Sequence, residues 1–250
     1  MKQRKPFFYR LIMGCVRLVY IKYQVIEENS SQIGGNIYVS NHAQIHGPAG
    51  HQLYFPRPKR IWIIGEMLNR KEAADYSIMD FWPNKSRWTK WFYILFSKII
   101  ISWLAPYIFS NANTIPVFKD IRLRQTINQT IDALNNGEDV IIFPEHRVPY
   151  NRFINDFQEH FVDIAKRYVM RTEKSLQFFP MYTCPALKKI LIGRPITYNP
   201  DSDSNEERTR IIDYLQHEIT CMGESLPNHT IVPYENISKR KRIKSKEASL

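Results

Sequence analysis

The stretch NIYVSNHAQIHGP, residues 36–48, decides the fold. Its first five residues, Asn36–Ser40, predict a buried strand, because β-branched and aromatic side chains favour strands. The strand runs directly into Asn41 and His42, and polar side chains at strand ends mark the ligand sites of α/β sheets. A histidine at such a point can act as a general base near neutral pH. The alternative for His42, taken alone, is a structural hydrogen-bonding role.

Strand and helix patterns alternate along the rest of the chain. Further strands are predicted at Arg60–Ile64, Thr114–Phe118, Asp139–Phe143, Leu176–Tyr182 and Lys189–Ile192, and helices at Ile121–Asn135, Asp156–Arg171 and Glu206–Cys221. This alternation predicts an α/β fold with a mixed central sheet covered by helices. No repeat or linker divides it, so we predict a single domain over 31–235, an amphipathic basic helix within 1–30, and a basic, disordered tail over 236–250.

The net charge of +11 is concentrated at the two ends of the chain. Residues 1–24 hold six basic residues and no acid, and residues 236–250 hold six basic residues against one acid, which leaves 25–235 neutral. A domain that binds duplex nucleic acid usually carries its excess charge on a folded face, so nucleic acid is not the expected partner. We expect an anionic membrane lipid instead. A nucleic-acid binder that uses the run Lys239–Lys246 is the alternative.

Two apolar segments predict contact with a membrane. The first, near the N-terminus, has an apolar helical face edged with basic residues, which is typical of an interfacial helix or of a helix packed on the domain. The second, Trp91–Phe109, is long enough to span a bilayer, but Lys98 and Pro106 interrupt it. We therefore predict a helix that is buried or embedded in one leaflet. The predicted location is the cytoplasmic face of a membrane, with the protein peripheral or monotopic.

A second polar motif, FPEHR at residues 143–147, follows the predicted strand Asp139–Phe143. A carboxylate beside an arginine can bind the hydroxyl groups of a substrate, or it can form a solvated ion pair in a loop. Taken alone, this motif is a weak signal.

The order of the segments resembles the glycerolipid acyltransferase family, which includes the lysophosphatidic acid acyltransferases, over about residues 36–197. Asn41-His42 matches the start of the family's first block, Asn-His-x4-Asp. The segment 115–119 (IPVFK) matches the second block, FPE at 143–145 the third, and FPMY at 179–182 the fourth. The resemblance implies a single acyltransferase-type domain of α/β fold, with no resident cofactor.

The same resemblance implies a reaction and a set of site residues. An acyl chain moves from a thioester donor, acyl-CoA or acyl-carrier protein, to a hydroxyl of a lysophospholipid or glycerol phosphate acceptor. His42 is then the base, with Asn41 and His46 beside it in the catalytic loop. The implied acceptor-binding residues are Lys119, Phe143, Pro144, Glu145 and Arg147.

Three positions depart from the family pattern. Gly47 stands where the family has the aspartate that orients the histidine, and loss of such a carboxylate costs about 10⁴ in rate in serine hydrolases. Asn113 replaces a glycine of the second block, and His146-Arg147 replaces the Gly-Thr of the third, with the arginine one position early. Either His46, Asp75 or Asp80 orients the base of an active enzyme, or the chain is a catalytically degenerate lipid-binding or scaffolding protein of the same fold.

No metal site is predicted. His42, His46 and His51 lack the spacing of a familiar ligand motif, and no nearby acid or cysteine completes the set. The three cysteines are widely spaced and form no CxxC pair, which fits a reducing compartment.

Overall fold

A computed structural model of the chain describes residues 5–28, 34–80, 82, 86–118 and 120–234. The predicted tail 236–250 and the site residue Lys119 lie outside these ranges. The strands are β1 (Gln24–Glu27), β2 (Ile37–Ser40), β3 (Lys59–Ile64), β4 (Thr114–Val117), β5 (Asp139–Ile142), β6 (Glu145–Pro149), β7 (Asn155–Phe157), β8 (Gln177–Cys184), β9 (Lys189–Ile192) and β10 (Ile196–Thr197).

The helices surround this set of strands. They are α1 (Phe7–Val19), α2 (His46–Tyr54), α3 (Arg70–Asp80), α4 (Arg87–Phe96), α5 (Ser102–Asn111), α6 (Leu123–Asn135), α7 (Asp163–Thr172) and α8 (Ser204–Ser225). A π-helical turn, Ser97–Ile101, joins α4 to α5, and 3-10 turns occupy Gly65–Leu68 and Glu159–Val162.

The central sheet is mostly parallel. Its strand order is β1-β9-β8-β2-β5-β3-β4, with β10 paired to β8. Strands β8, β2, β5, β3 and β4 are mutually parallel, while β9 and β10 are antiparallel to β8. Strands β6 and β7 form a separate two-stranded antiparallel sheet. Because parallel strands end at one edge, the residues that follow β2, β5 and β8 come together there.

Both faces of the central strand β2 are buried, as its apolar sequence predicts. Ile37 and Val39 belong to the apolar core on one face, which is formed mainly with α6, α7 and α8. Tyr38 points to the opposite face, where it stacks on Phe179 with the ring centroids 4.7 Å apart. This alternation is that of a strand covered on both sides, so β2 fixes the layers of the domain.

A buried ionic cluster holds the opposite edge of the sheet. Asp139 at the start of β5 is fully buried, and its Oδ1 accepts hydrogen bonds from the backbone nitrogens of Gly35 and Asn36, at 3.0 and 3.1 Å. Its Oδ2 pairs with Arg57 Nε at 3.0 Å, and Arg57 also donates to Glu27 at 2.9 Å. Burial raises the pKa of Asp139, which shows that desolvation outweighs these favourable contacts.

The sequence predicts most strands within one or two residues and misplaces one helix. The predicted helix Asp156–Arg171 is wrong at its start, because residues 155–157 form β7 and the α-helix begins only at Asp163. The reason is the pairing of β7 with β6, which turns the expected loop after Pro144 into a hairpin. Helices α2 and α3 and strands β1, β6 and β7 are not predicted.

The two apolar segments form helices that pack together. Phe8 of α1 contacts Trp103 and Tyr107 of α5, at ring-centroid distances of 6.1 and 5.7 Å. One helix among the described residues, Trp88–Asn111, is long and apolar enough to cross a membrane, and only 11% of its most apolar window is buried. The expectation of a buried core helix is therefore wrong for this segment.

We expect Asp139→Ala to lower the free energy of unfolding by about 3–5 kcal/mol, because removing one member of a buried ion pair leaves its partners unsatisfied. The matched control is Asp132→Ala, whose carboxylate forms an exposed ion pair with Arg171. That change is expected to alter stability by less than about 0.5 kcal/mol. Urea denaturation of both variants measures the difference, and equal stabilities would contradict a structural role for the cluster.

Candidate active site

The loop after β2 is fixed to the neighbouring strand β8 by one asparagine. The Asn41 side chain pairs with the backbone of Thr183 in both directions: Oδ1 accepts from the Thr183 nitrogen at 2.7 Å, and Nδ2 donates to the Thr183 carbonyl at 3.1 Å. Asn41 is 3% exposed. Its amide therefore imitates a strand partner and holds the start of the loop, and His42 follows as the next residue.

Glu145 connects the same loop to β5 and the hairpin. Its Oε2 accepts a hydrogen bond from the backbone nitrogen of His42 at 2.5 Å, and its Oε1 accepts one from the backbone nitrogen of Asn155 at 2.8 Å. The residue is 4% exposed. Burial raises the pKa of Glu145 to about 7, although both amide contacts act to lower it. Both oxygens thus bind protein backbone.

The imidazole of His42 lies between two aromatic rings. Phe143 and Tyr234 contact it edge-on, with centroid distances of 5.3 and 5.6 Å. Its Nδ1 is buried and has no hydrogen-bond partner among the described residues. Burial lowers the pKa of His42 to about 4, and the backbone of Gln44 offsets this only in part. The ring is therefore neutral at pH 7, as a proton acceptor must be.

The loop that carries His42 has an unusual backbone. Ala43 and Gln44 have φ angles of +44° and +56°, a left-handed conformation that residues other than glycine seldom adopt. Such a residue costs about 1–3 kcal/mol and persists only where the surroundings enforce it. Here the chain folds back on itself, because the nitrogen of His46 donates to the Ala43 carbonyl at 3.1 Å and that of Gly47 to the His42 carbonyl at 3.0 Å.

The fold of this loop explains the glycine at position 47. A Cβ atom on Gly47 would lie 2.5 Å from the carbonyl oxygen of His42 and 2.9 Å from that of Asn41. No side chain fits there unless the loop opens. The aspartate expected at this position could not be accommodated, because the backbone of the loop occupies the space that its side chain would need.

None of the residues proposed to replace that aspartate hydrogen-bonds the His42 ring in the described part of the chain. His46 has its Nδ1 within 2.9 Å of the Tyr20 hydroxyl. Asp75 lies on α3, in a cleft with Lys98 and Ser102. Asp80 ends α3, and its side chain lies outside the described residues. The backbone of Gln44 is the polar group that acts on the ring.

A buried polar cluster, which the sequence does not predict, lies directly behind the loop. His51 Nε2 is 3.0 Å from Ser40 Oγ and 3.1 Å from Thr183 Oγ1. Burial lowers the pKa of His51 to about 3, so this ring is neutral as well. His42, His46 and His51 thus have separate partners, and no group of three or more His, Cys, Asp or Glu within the described residues is arranged to hold a metal ion.

The predicted acceptor-binding residues are only partly brought together. Phe143 and Glu145 contact His42, and Pro144 is buried between them. Arg147 lies on the exposed strand β6, in the hairpin that replaces the expected loop. Lys119 is outside the described residues. Thr183 and Tyr234 are additional site residues, and their distance from His42 along the chain gives no sequence signal for their contact.

Comparisons with known proteins bear on the fold. No protein-family model and no curated protein sequence matches this chain. Its structure is similar to the crystal structure of the 1-acyl-sn-glycerophosphate (LPA) acyltransferase PlsC from Thermotoga maritima, with a TM-score of 0.50 and 16% sequence identity. The match covers 88% of this chain and 81% of that one. The chain therefore has the mixed α/β fold of an acyltransferase.

We expect Gly47→Ala to lower the free energy of unfolding by about 1–3 kcal/mol, because the added methyl group overlaps two backbone carbonyls. Gly14→Ala is the control: its Cβ meets no atom within 4 Å, and alanine favours a helix by about 0.5–1 kcal/mol over glycine. Chemical denaturation compares the two. A Gly47→Ala protein as stable as Gly14→Ala would refute the closed loop.

The neutral state of His42 has its own pH signature. Because its folded pKa of about 4 lies below the unfolded value near 6.5, the unfolded chain binds the proton first, and His42 makes the fold lose stability as pH falls through this window. At pH 5 the parent should have lost about 2 kcal/mol relative to His42→Gln, compared with pH 7.5. The exposed His160→Gln is the control; if its difference changes with pH as much as that of His42→Gln, the assignment fails.

Proposed function

We propose that this chain transfers an acyl chain from a thioester donor to a hydroxyl of a lysophospholipid or glycerol phosphate at a membrane surface. One observation carries the proposal: a neutral histidine, His42, at the carboxyl end of the central strand, with its backbone nitrogen fixed by Glu145 and its Nδ1 without a hydrogen-bond partner among the described residues. The fold shared with PlsC, a 1-acyl-sn-glycerophosphate acyltransferase, suggests the substrate class.

In the proposed reaction His42 moves one proton. Nε2 accepts the proton of the acceptor hydroxyl while that oxygen bonds to the thioester carbonyl carbon. The carbon–sulfur bond then breaks, and the imidazolium returns the proton to the sulfur, which leaves as a thiol. A pKa of about 4 makes the free histidine a weak base. The phosphate of a bound acceptor raises that pKa, because a nearby negative charge favours the imidazolium.

Glu145 is a positioning residue in this mechanism. Both of its oxygens accept backbone hydrogen bonds, so the geometry favours fixation of the loop over direct contact with glycerol. Phe143 and Tyr234 confine the ring from two sides and set the direction from which a hydroxyl can approach. Restricting a base to one orientation is itself a large contribution to a bimolecular reaction.

Within the described residues no carboxylate pairs with Nδ1 of His42, which supports the alternative, a lipid-binding or scaffolding protein of the same fold without catalysis. In its favour, a buried ring nitrogen without an acceptor stabilises the imidazolium poorly. Against it stands the strained loop of Ala43 and Gln44, since strain of this kind persists chiefly at functional sites. We favour the enzyme for that reason.

The membrane part of the proposal is supported by α1, α4 and α5. Their apolar side chains face outward, with Trp88 88% exposed and Phe7 77% exposed. Helix α3 packs against the long helix at the π-helical turn Ser97–Ile101, and its charged residues Arg70, Lys71 and Asp75 line an open cleft beside Lys98. A spanning helix would bring those charges to the centre of the bilayer, so an in-plane position in one leaflet is favoured.

With lysophosphatidic acid and an acyl-CoA, the purified protein should show turnover that His42→Gln lowers at least about 100-fold, since general base catalysis contributes about 10²–10⁴. His160→Gln, which changes an exposed histidine, should retain the parent rate. Release of free thiol measures the reaction. Full activity in His42→Gln would refute the base, and a folded parent inactive with both CoA and carrier-protein donors would favour the degenerate alternative.

A further inference from the structure

An open cleft of about 370 Å³ lies between the first half of α3 and the middle of the long helix. Its lining residues are Arg70, Lys71, Ala74, Asp75, Lys98 and Ser102. Buried small residues, Ala73 on α3 and Ala105 on α5, let the two helices approach closely beneath it, together with Met67. The cleft belongs to the connection between β3 and β4, and none of its lining residues contacts the His42 ring.

The cleft carries unpaired positive charge. Arg70, Lys71 and Lys98 face a single carboxylate, Asp75, and none of the three cations forms an ion pair with any residue in the described ranges. Elsewhere most of the partly buried arginines are paired, as Arg57 is with Asp139. Three cations around one carboxylate give the cleft an excess of positive charge, which favours an anionic ligand.

The immediate surroundings of the cleft are apolar and exposed. On either side of Lys98, Leu95 is 48% exposed and Ile99 is 59% exposed, while Trp91 and Trp103 flank them on the same helix. Aromatic side chains and lysines at the edge of an apolar surface are typical of the lipid–water interface. The ligand that fits positive charge and apolar surface together is an anionic lipid.

We propose that this cleft binds the phosphate headgroup of an anionic phospholipid in the membrane on which α4 and α5 lie. The phosphate contacts Arg70, Lys71 and Lys98, the Ser102 hydroxyl is within the same cleft, and the acyl chains extend along the apolar side of the long helix. This lipid is a docking ligand and not a substrate. The inference rests on the membrane location proposed above and is independent of acyl transfer.

The test is co-sedimentation of the full-length protein with vesicles of phosphatidylcholine, with and without phosphatidylserine. The triple variant Arg70→Gln, Lys71→Gln, Lys98→Gln should bind the phosphatidylserine vesicles at least about tenfold more weakly, since each basic residue near an anionic surface contributes about 1 kcal/mol. Binding to pure phosphatidylcholine should stay unchanged, because the apolar surface is intact.

A matched control removes the same charges elsewhere. Lys166→Gln, Arg171→Gln, Lys174→Gln takes one arginine and two lysines from the exposed surface of α7 and the turn after it, and α7 belongs to the helical layer of α6 and α8. Its binding to phosphatidylserine vesicles should change less than about threefold, through long-range attraction alone. Equal losses in the two triple variants would overturn the cleft and leave only diffuse electrostatics.

The variant Asp75→Asn should change vesicle binding in the direction opposite to that of the triple variant. Asp75 is exposed and is the acid of the cleft, so its neutralisation should strengthen binding to phosphatidylserine vesicles about threefold to tenfold. No effect of Asp75→Asn would contradict the proposal even if the triple variant failed to fold. Displacement of the protein from vesicles by millimolar inorganic phosphate or coenzyme A would assign the cleft to a soluble anion instead.

Failure of the proposed lipid site can be distinguished from failure of the proposed acyl transfer. His42→Gln should bind phosphatidylserine vesicles as the parent does, because His42 is not part of the cleft. The cleft triple variant should retain acyl transfer in neutral detergent micelles, because the acceptor is then reached without docking on an anionic bilayer. Loss of vesicle binding in His42→Gln would show that the binding measured is that of the reaction site.

Discussion

The carboxylate of Glu145 is the interaction on which the site depends. It joins two backbone nitrogens from segments that leave the sheet in different directions, His42 after β2 and Asn155 at the start of β7. Those nitrogens have left the hydrogen-bond ladder of the sheet and need acceptors, because an unpaired buried amide is costly. The raised pKa of Glu145 indicates that burying the charge outweighs the two bonds it accepts. The protein therefore keeps a carboxylate whose burial is unfavourable, and this carboxylate fixes the position of His42.

The closed loop and the neutral histidine are consequences of that anchoring. With the His42 nitrogen held by Glu145 and the Asn41 side chain held by Thr183, the chain must reverse within a few residues to begin α2 at His46. Left-handed residues accomplish the reversal, and Gly47 is required where the loop touches itself. The same closure removes the space for a side chain at position 47, and burial is the dominant influence on the pKa of the imidazole.

Sequence patterns could predict the strands of this fold because their signal is local. Strand β2 and its neighbour β5 are continuous apolar runs, and a run of this kind is buried whichever neighbours it acquires. Helix α3 has no such signal, since its charged residues are scattered around the helix and its stability comes from packing against α5. The start of the predicted helix at Asp156 failed because β7 is formed by pairing with β6, and pairing partners are not encoded in the helical period of one segment.

The sequence indicates which residues lie near His42 only in part, and it does not indicate the contacts that they make. Asn41, His42 and Glu145 were identified from their order along the chain, but the contact of Asn41 with Thr183 spans 142 positions, and nothing in the local sequence indicates it. The left-handed angles of Ala43 and Gln44 are equally invisible, because neither residue type favours them. From the sequence, Gly47 is only the loss of the aspartate in the family pattern, whereas the structure shows that the backbone of the loop fills the space of a side chain there.

The local charge of a surface depends on which charged residues form ion pairs, and the net charge of the chain does not show this. Residues 25–235 are neutral in total, and on that count the folded part of the chain offers nothing to an anion. Yet some cations are paired closely, as Arg57 is with Asp139, while Arg70, Lys71 and Lys98 share one carboxylate in a cleft of the β3–β4 connection and form no ion pair among the described residues. The pattern of pairing thus concentrates positive charge beside the most apolar exposed helix of the molecule. A surface with both features is the one that the proposed lipid site requires, because positive charge and exposed apolar side chains together favour an anionic lipid.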